Sequence, residues 1–396
     1  MSRIAIVSNI DIFHERSRVE LVERLSALGH DVMVIAPVDP VHAAKAAWPC
    51  RWWNWPLVQH GVHPIGELAA TRFLVRLFRE ERPDIVLNFR LKAALYGTAA
   101  ARLAGVASVN TIFTGLGHYF VDEKRVNSPF GKLIRMALQP LLGLNETVFF
   151  QNPDDLAVFE RLGLIRPDQG FLVPGSGVNV TEFSPLPKAN GEARFVLIAR
   201  MLRDKGIIEF CEAARQLRAS HPAARFVLVG GAGSEPTALQ PAGLAPWTRD
   251  GTVEYRGQIA DVRPEIAAAT AVVLPSYYAE GVPRSLLEAL AMGRPLITTD
   301  MPGCRMTVEE GVNGFLVKPR DVASLAGAME KLIGQPEAAL RMGSQSRRMA
   351  VEKFDVHIVV ERLTGRLLAG GHGPHSADCS ATGKSSGTST AVDAVR

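Results

Sequence analysis

Tyr278-Ala279-Glu280-Gly281-Val282-Pro283-Arg284-Ser285-Leu286-Leu287-Glu288-Ala289-Leu290-Ala291-Met292-Gly293-Arg294-Pro295 decides how the rest of this chain is read. The apolar run before it ends at Pro275 and reads as a buried strand. A Glu-Gly turn follows. Pro283 then stands where a first helical position is expected, because a residue without an N–H loses nothing there. Leu286, Leu287 and Leu290 keep helical spacing, and Gly293 marks the stop. Strand, tight turn and helix N-terminus in succession aim backbone N–H groups and the positive end of a helix dipole at one spot, which suits a phosphate. Glu280 and Glu288, with seven residues between them, flank that spot. Carboxylates repel phosphate but accept well from hydroxyls, so the pair suits hydroxyl groups beside the anion.

Upstream, Leu197-Ile198-Ala199-Arg200-Met201-Leu202-Arg203-Asp204-Lys205-Gly206 places an Arg and a Lys on a loop just after another apolar strand. A planar guanidinium fork and a mobile ammonium on one loop can converge on a single anion and neutralise a diphosphate. Gly230-Gly231-Ala232-Gly233 after the next strand leaves room for a base or a phosphate, or serves the fold alone.

The stretches around these motifs alternate short apolar strands with helical patterns. Strands are expected at 4–7, 32–36, 85–88, 108–111 and 147–151, with helices at 16–28 and 68–80 between them. A Pro/Gly/Asn-containing linker spans 184–191, and a second series starts at 194–199, with strands at 226–229, 253–255, 271–274 and 296–298. Helices follow at 323–333, 336–352 and 356–368. From Gly370 on, Gly, Ser, Thr and His dominate without apolar periodicity, so 370–396 reads as a disordered tail. The pattern predicts an α/β protein of two parallel, doubly wound sheets whose ligand lies in the cleft between them, at the carboxyl ends of the strands. Ser8-Asn9-Ile10-Asp11-Ile12-Phe13 follows the first strand without GxGxxG, which removes the main support for a dehydrogenase.

The Arg-x4-Lys-Gly element and the Glu-x7-Glu unit downstream of it resemble the retaining, nucleotide-sugar-dependent glycosyltransferases of the GT-B fold, the large family 4 (group 1). The resemblance covers nearly all of the chain before the tail. It implies a GT-B architecture of two Rossmann-like domains facing a central cleft: an acceptor-binding domain at 1–185, a donor-binding domain at 186–352 and a helix at 353–369 returning to the first domain. It also implies roles. Arg200 and Lys205 would grip the nucleotide diphosphate, Glu288 the ribose diol and Glu280 the donor-sugar hydroxyls, with the N–H groups of Gly281 and Val282 facing the diphosphate. Gly231 would make room for the base or phosphate. Gly177, in Val173-Pro174-Gly175-Ser176-Gly177-Val178-Asn179, resembles the segment leading into the second domain.

On the acceptor side, Asn110-Thr111-Ile112-Phe113-Thr114-Gly115-Leu116-Gly117 is similar to the subgroup that extends undecaprenyl-diphosphate-linked sugars, such as the bacillosamine-lipid GalNAc transferases. Many family members have His where Thr114 stands, which puts that sugar contact in doubt; His118 is the candidate substitute. Arg18 and Lys92, with Tyr96, also match the subgroup, where a lipid diphosphate gives such cations a reason to face the cleft. The implied reaction moves a sugar from a UDP-sugar to a lipid-linked saccharide with retention. The departing diphosphate takes the acceptor proton, and no metal or other cofactor is needed. Three other readings stay open: a nucleotide-sugar 2-epimerase of similar fold, a transferase with a soluble acceptor of glycogen- or sucrose-synthase type, and a non-catalytic nucleotide-sugar-binding protein.

Composition bounds the rest. A chain of 396 residues suggests about two domains, and a net charge of +4 with no Lys/Arg-rich arm or RNP-like strand gives no support to nucleic-acid binding. Cys50, Cys211, Cys304 and Cys379 lack CxxC spacing and fit a reducing compartment, and the first strand looks unlike a signal peptide. The expectation is a cytoplasmic protein, soluble or peripheral at the inner face of the plasma membrane. Arg51-Trp52-Trp53-Asn54-Trp55 and the basic face Arg72, Arg76 and Arg79 read either as a membrane-facing surface for an anionic bilayer or as a core stripe with a solvated face.

Overall fold

The computed structural model describes residues 1–10, 16–37, 50–57, 63–116, 120, 123–186, 192–233, 235 and 237–370. The expectations for His118 and for the tail beyond Gly370 lie outside these residues. The first unit runs β1 (Arg3–Ser8), α1 (Arg16–Ala27), β2 (Asp31–Ala36), β3 (Arg51–Asn54), α2 (Pro64–Glu81), β4 (Ile85–Phe89), α3 (Arg90–Ala104), β5 (Ser108–Phe113), α4 (Glu123–Val126), α5 (Pro129–Gly143), β6 (Thr147–Phe150), α6 (Pro153–Arg161) and β7 (Gly170–Leu172). The second runs β8 (Arg194–Ile198), α7 (Ile207–Ser220), β9 (Arg225–Val229), α8 (Pro241–Thr248), β10 (Glu254–Tyr255), α9 (Arg263–Ala268), β11 (Ala271–Leu274), α10 (Arg284–Ala291), β12 (Leu296–Thr299), α11 (Pro302–Arg305), β13 (Gly314–Val317), α12 (Val322–Gly334) and α13 (Pro336–Met349). A π-turn, Ala350–Phe354, leads into the last helix, α14 (Val356–Leu368).

Among the described residues the strands form a seven-stranded sheet, β3-β2-β1-β4-β5-β6-β7, and a six-stranded sheet, β10-β9-β8-β11-β12-β13. Every pairing between them is parallel. The central strands are buried on both faces, which is why they read as continuous apolar runs rather than alternating ones. In each sheet the strand order reverses once, between β1 and β4 and between β8 and β11, and a crevice opens at the carboxyl ends beside such a reversal. This is the GT-B arrangement of two Rossmann-like units. At the first reversal Arg90 holds φ 73, a left-handed conformation rare for a residue with a Cβ.

The two units share one joint. The Val178 N–H donates to Phe354 O and the Val356 N–H to Val178 O, so the outgoing and returning chains lie side by side. Beyond it, Val356, Val360, Leu363 and Leu367 of α14 enter a core with Ile4, Ile6, Leu21 and Phe149 of the first unit.

Three elements bear on readings that the sequence left open or did not make. The Trp-rich segment forms the edge strand β3, on which Trp52 is exposed. Trp55 is buried and donates its indole N–H to Ala70 O, and Trp53 lies under the Arg51 guanidinium. On α2, Leu74, Leu77 and Phe78 face the core while Arg76 pairs with Glu80 in solvent, the arrangement of a packed stripe with a solvated basic face. Finally, β13 was not expected: four residues at a sheet edge carry too little pattern to stand out.

Candidate active site

The loop after β8 turns inward because Gly206, at φ +76, lies against the end of β11; a Cβ there would sit 2.2 Å from Pro275 O. Tyr277 N–H donates to Asp204 O at 2.9 Å, which ties this loop to the one after β11, and Ser276 Oγ lies 3.3 Å from the same carbonyl. Lys205 is thereby buried at 8% exposure, and its ammonium meets Glu280 Oε2. Glu280 Oε1 accepts from Ser276 Oγ at 2.9 Å, and the Tyr278 ring lies 5.0 Å from the ammonium.

The first unit closes on this cluster through glycines. Gly281 N–H donates to Thr114 O at 3.0 Å. Gly115, at φ +125, lies so close that an added Cβ would be 2.6 Å from Gly281 N. Behind Gly281, a Cβ on Gly303 of α11 would fall 1.8 Å from Gly281 O. Arg305 of the same helix reaches across to Asp154 of α6 at 3.1 Å. The cavity beside the cluster is lined by Arg18, Phe89, Thr114, Gln151, Gly175 and Val360, among others, so residues at or just past the carboxyl ends of β4, β5 and β6 all contribute to it. Arg18 is buried, stacked on the Phe89 ring at 4.6 Å and within 3.4 Å of Ser8 Oγ.

A second, smaller pocket lies at the joint. Glu288 lines it with Glu20, Gly177, Asn179, Glu182 and Arg284. Arg284 donates to Glu288 at 3.2 Å, yet burial still pushes the Glu288 carboxyl above its ordinary pKa. Helix α10 begins at Arg284 with Pro283 as its N-cap, one residue later than the sequence suggested, and no side chain caps it. Its first-turn N–H groups point towards the carboxyl edge of the sheet.

The structure thus brings together Lys205, Glu280, Gly281, Thr114 and Gly115, with Arg18 on the adjoining cavity wall. Other expected contacts differ. Arg200 does not converge with Lys205: its guanidinium turns outward to Glu235, while Lys205 turns inward to Glu280. Gly281 N–H is taken by Thr114 O rather than left facing an anion, and Val282 packs its side chain against Gly175. Gly231 lies under the Arg200 loop, its carbonyl accepting from Met201 N–H and its Cα side facing Gln258. Gly177 serves the joint, 2.7 Å from Val356 Cα by the position of an added Cβ. Lys92 is not in the cavity lining; its ammonium meets Glu67 Oε1 at 3.1 Å, and Tyr96 OH donates to the same carboxylate. Ser276, Tyr278, Gln151, Gly175 and Gly303 were missed. Only Ser276 and Tyr278, adjacent to the motif, carried a sequence signal that could have found them.

Asp155, in the first turn of α6 just past Gln151, is buried, and its Oδ2 has no hydrogen-bond partner among the described residues. Burial is the main cause that raises its pKa to about 7, with Asp154 adding to it against the Asn152 hydrogen bond. The folded chain therefore keeps this proton up to about pH 7, whereas the unfolded chain releases it near the ordinary value of 3.8. Stability is lost as pH rises through that window and is level above it. Asp155→Asn should stabilise the protein by at most about 4 kcal/mol at pH 8, shrinking to under about 2 kcal/mol at pH 5. Denaturant unfolding of both proteins at the two pH values checks this. An equal gap at both would remove burial of a titrating carboxyl as the cause.

Comparison with known proteins places these features in context. Residues 14–175 match the model of a glycosyl transferase 4-like domain, and residues 192–335 that of glycosyl transferases group 1. The chain is 23% identical to the N,N'-diacetylbacillosaminyl-diphospho-undecaprenol alpha-1,3-N-acetylgalactosaminyltransferase of Campylobacter jejuni over 91% of its length and 96% of that protein. It is 25% identical to the UDP-Gal:alpha-D-GlcNAc-diphosphoundecaprenol alpha-1,3-galactosyltransferase of Escherichia coli, over 78% of this chain and 81% of that one. Among solved structures, Anabaena HepE in complex with UDP superposes with a TM-score of 0.74 at 17% identity, covering 93% of this chain and all of that one (100%). Sucrose-phosphate synthase of Thermosynechococcus elongatus gives 0.76 at 21%, covering 92% and 98%.

Proposed function

Since the chain belongs to the group 1 glycosyltransferases, whose two domain models span most of it between them, we propose that it moves a hexose or N-acetylhexosamine from a UDP-sugar to a lipid-diphosphate-linked saccharide, with the anomeric configuration retained. The observation that carries this reading is the buried Lys205–Glu280 pair, held against Thr114 of the other unit where both sheets present their carboxyl ends. A donor diphosphate competes with Glu280 for the Lys205 ammonium. Its arrival frees the carboxylate to accept from the sugar hydroxyls beside it.

In the proposed reaction the bond from the anomeric carbon to the diphosphate oxygen breaks. A bond to the acceptor oxygen forms on the same face, and the acceptor proton passes to the departing phosphate. Lys205 offsets the charge that develops on the leaving group, with the N-terminus of α10 and, once it leaves Glu235, Arg200. Glu288, in the pocket at the joint, takes the ribose diol. Arg18 is the cation on the acceptor side. The reaction as proposed needs no metal, and its setting is the cytoplasmic face of the membrane that holds the acceptor lipid. The names of the Campylobacter and Escherichia relatives and the UDP held by HepE support this choice of substrates.

The test is UDP release by the full chain with UDP-GlcNAc, UDP-GalNAc, UDP-Glc and UDP-Gal, each with and without an undecaprenyl-diphosphate-sugar, and with EDTA in parallel. The expected result is acceptor-dependent, EDTA-resistant UDP release with one donor and an extended lipid-linked product whose new linkage keeps the donor's configuration. Acceptor-independent isomerisation of the sugar would replace this reading with an epimerase, and an inverted linkage would remove the same-face step.

A further inference from the structure

Gln151 stands just past the carboxyl end of β6, between Phe150 of the strand and Asn152, the N-cap of α6. Both neighbours fix its backbone. Val173 N–H donates to Phe150 O at 2.9 Å, and Asn152 Oδ1 accepts from Asp155 N–H at 2.8 Å. The side chain is 3% exposed, so most of its rotamer freedom is already lost. Among the described residues, however, its amide makes no hydrogen bond. Its Oε1 lies against Gly281 of the opposite unit, where an added Cβ would fall 2.1 Å from it. That Cα carries no N–H, and the Gly281 N–H is already given to Thr114 O. A buried amide with neither end used destabilises the fold, and such a group calls for an explanation. A ligand that supplies the missing partner is one.

Two observations say what kind of ligand it is. Gln151 lines the cavity together with Thr114, Gly175 and Ser176, so it borders the space beside the Lys205–Glu280 cluster. It also touches the residue next to Glu280, the carboxylate that the donor reading gives to sugar hydroxyls. We propose that Gln151 is a specificity-determining residue for the donor: its amide N–H group donates to one hydroxyl of the hexose that Glu280 holds from the other unit. The inference rests on the donor reading above and extends it. The chemistry of the two side chains is complementary. An ionised Glu280 has acceptor oxygens alone and takes hydroxyl protons, whereas the Gln151 amide supplies two N–H donors to hydroxyl oxygens. A sugar ring between them is read from both units at once. Lys205, Glu288 and the N-terminus of α10, proposed above for the diphosphate and ribose, all belong to the second unit, so UDP alone leaves Gln151 untouched. A site built to bond a hydroxyl rejects the analogue without it, because its own buried group is then left unpaired.

Calorimetric titration of the full chain tests it, with UDP, UDP-GlcNAc, UDP-GalNAc, UDP-Glc and UDP-Gal as probes. Gln151→Met keeps an unbranched side chain of similar length but has no N–H donor. It should bind the best of these donors about tenfold more weakly than wild type does, and UDP within about twofold, with the melting curve kept. Gln151→Asn, with the amide drawn back by one carbon, should show the same split between UDP and UDP-sugar. Monodeoxy derivatives of that donor, each lacking one sugar hydroxyl, then identify the contact. One of them should lose about tenfold in wild type and nothing further in Gln151→Met, a coupling that a merely structural role does not produce. Folded variants that bind the donor as wild type does would overturn the inference. So would an equal loss for UDP and UDP-sugar, or deoxy losses that are the same in both proteins. A wild-type chain that binds none of the four UDP-sugars would overturn the donor reading itself, and this inference with it.

Discussion

Lys205→Met lowers kcat/KM for donor consumption by about a thousandfold in the assay above, most of it in kcat. The magnitude follows from what the ammonium is asked to do. A preorganised donor aimed at charge that develops in the transition state contributes about 3–4 kcal/mol, or roughly a hundred- to a thousandfold in rate. Lys205 is buried and fixed by Glu280 and the Tyr278 ring, so its orientation costs little at the moment of reaction. Removing it also leaves Glu280 without its counter-charge in a half-buried site, and breaking such a pair costs about 3–5 kcal/mol of stability when the remaining charge stays dry. A melting curve must therefore accompany the kinetics. Methionine keeps the bulk of the side chain, which makes a folded, inactive variant the expected outcome. A folded variant with less than a tenfold loss would remove Lys205 from the chemistry.

Gly115→Ala should reduce kcat/KM by about a hundredfold while moving the melting temperature by only a few degrees. The backbone at Gly115 has φ +125, a region that an alanine enters at a cost of order 1–3 kcal/mol. The larger consequence is steric. The new methyl would lie 2.6 Å from Gly281 N and 2.9 Å from the Cα and C of Glu280, all backbone atoms of the opposite unit that cannot rotate away. Either the units separate or Glu280 shifts from Lys205. Neither hydrophobic core is touched, so global stability is largely kept. Displacing a positioning group by about 1 Å costs on the order of a hundredfold in rate. Near-normal turnover in a soluble Gly115→Ala protein would mean that the contact seen here is not part of the working arrangement.

The parts of this structure that were legible in the sequence share a physical trait: they are local. Buried parallel strands are continuous apolar runs, so β1, β4, β8 and β11 announced themselves, whereas the strand order and its reversal points came from the structure. Glu280, Glu288 and Lys205 stood out because carboxylates and cations beside a Gly/Pro turn are chemically conspicuous. What stayed hidden depends on pairs of residues far apart in the chain. Gly303 is one glycine among many until Gly281 O is found against it, and Gln151 has no meaning until its amide faces that same loop. Lys92 shows the opposite failure: its charge was visible, but Glu67, which answers it, sits 25 residues away on another helix. Arg200 likewise could not reveal that Glu235 would claim it.

The paired crossing at Val178 and Val356 has a mechanical consequence. Where the described chain passes between the units and returns, two backbone hydrogen bonds join the two passes, so the second unit is attached as a door is by its hinge pin rather than as a bead on a string. The two hydrogen bonds of this single bridge resist sliding of one pass along the other. Because α14 is buried in the first unit's core, the far end of the pin is anchored. A rotation about the line of the crossing would carry the Gly281 loop towards Thr114 or away from it, so the Gly281–Thr114 hydrogen bond is the contact that such a rotation would make or break.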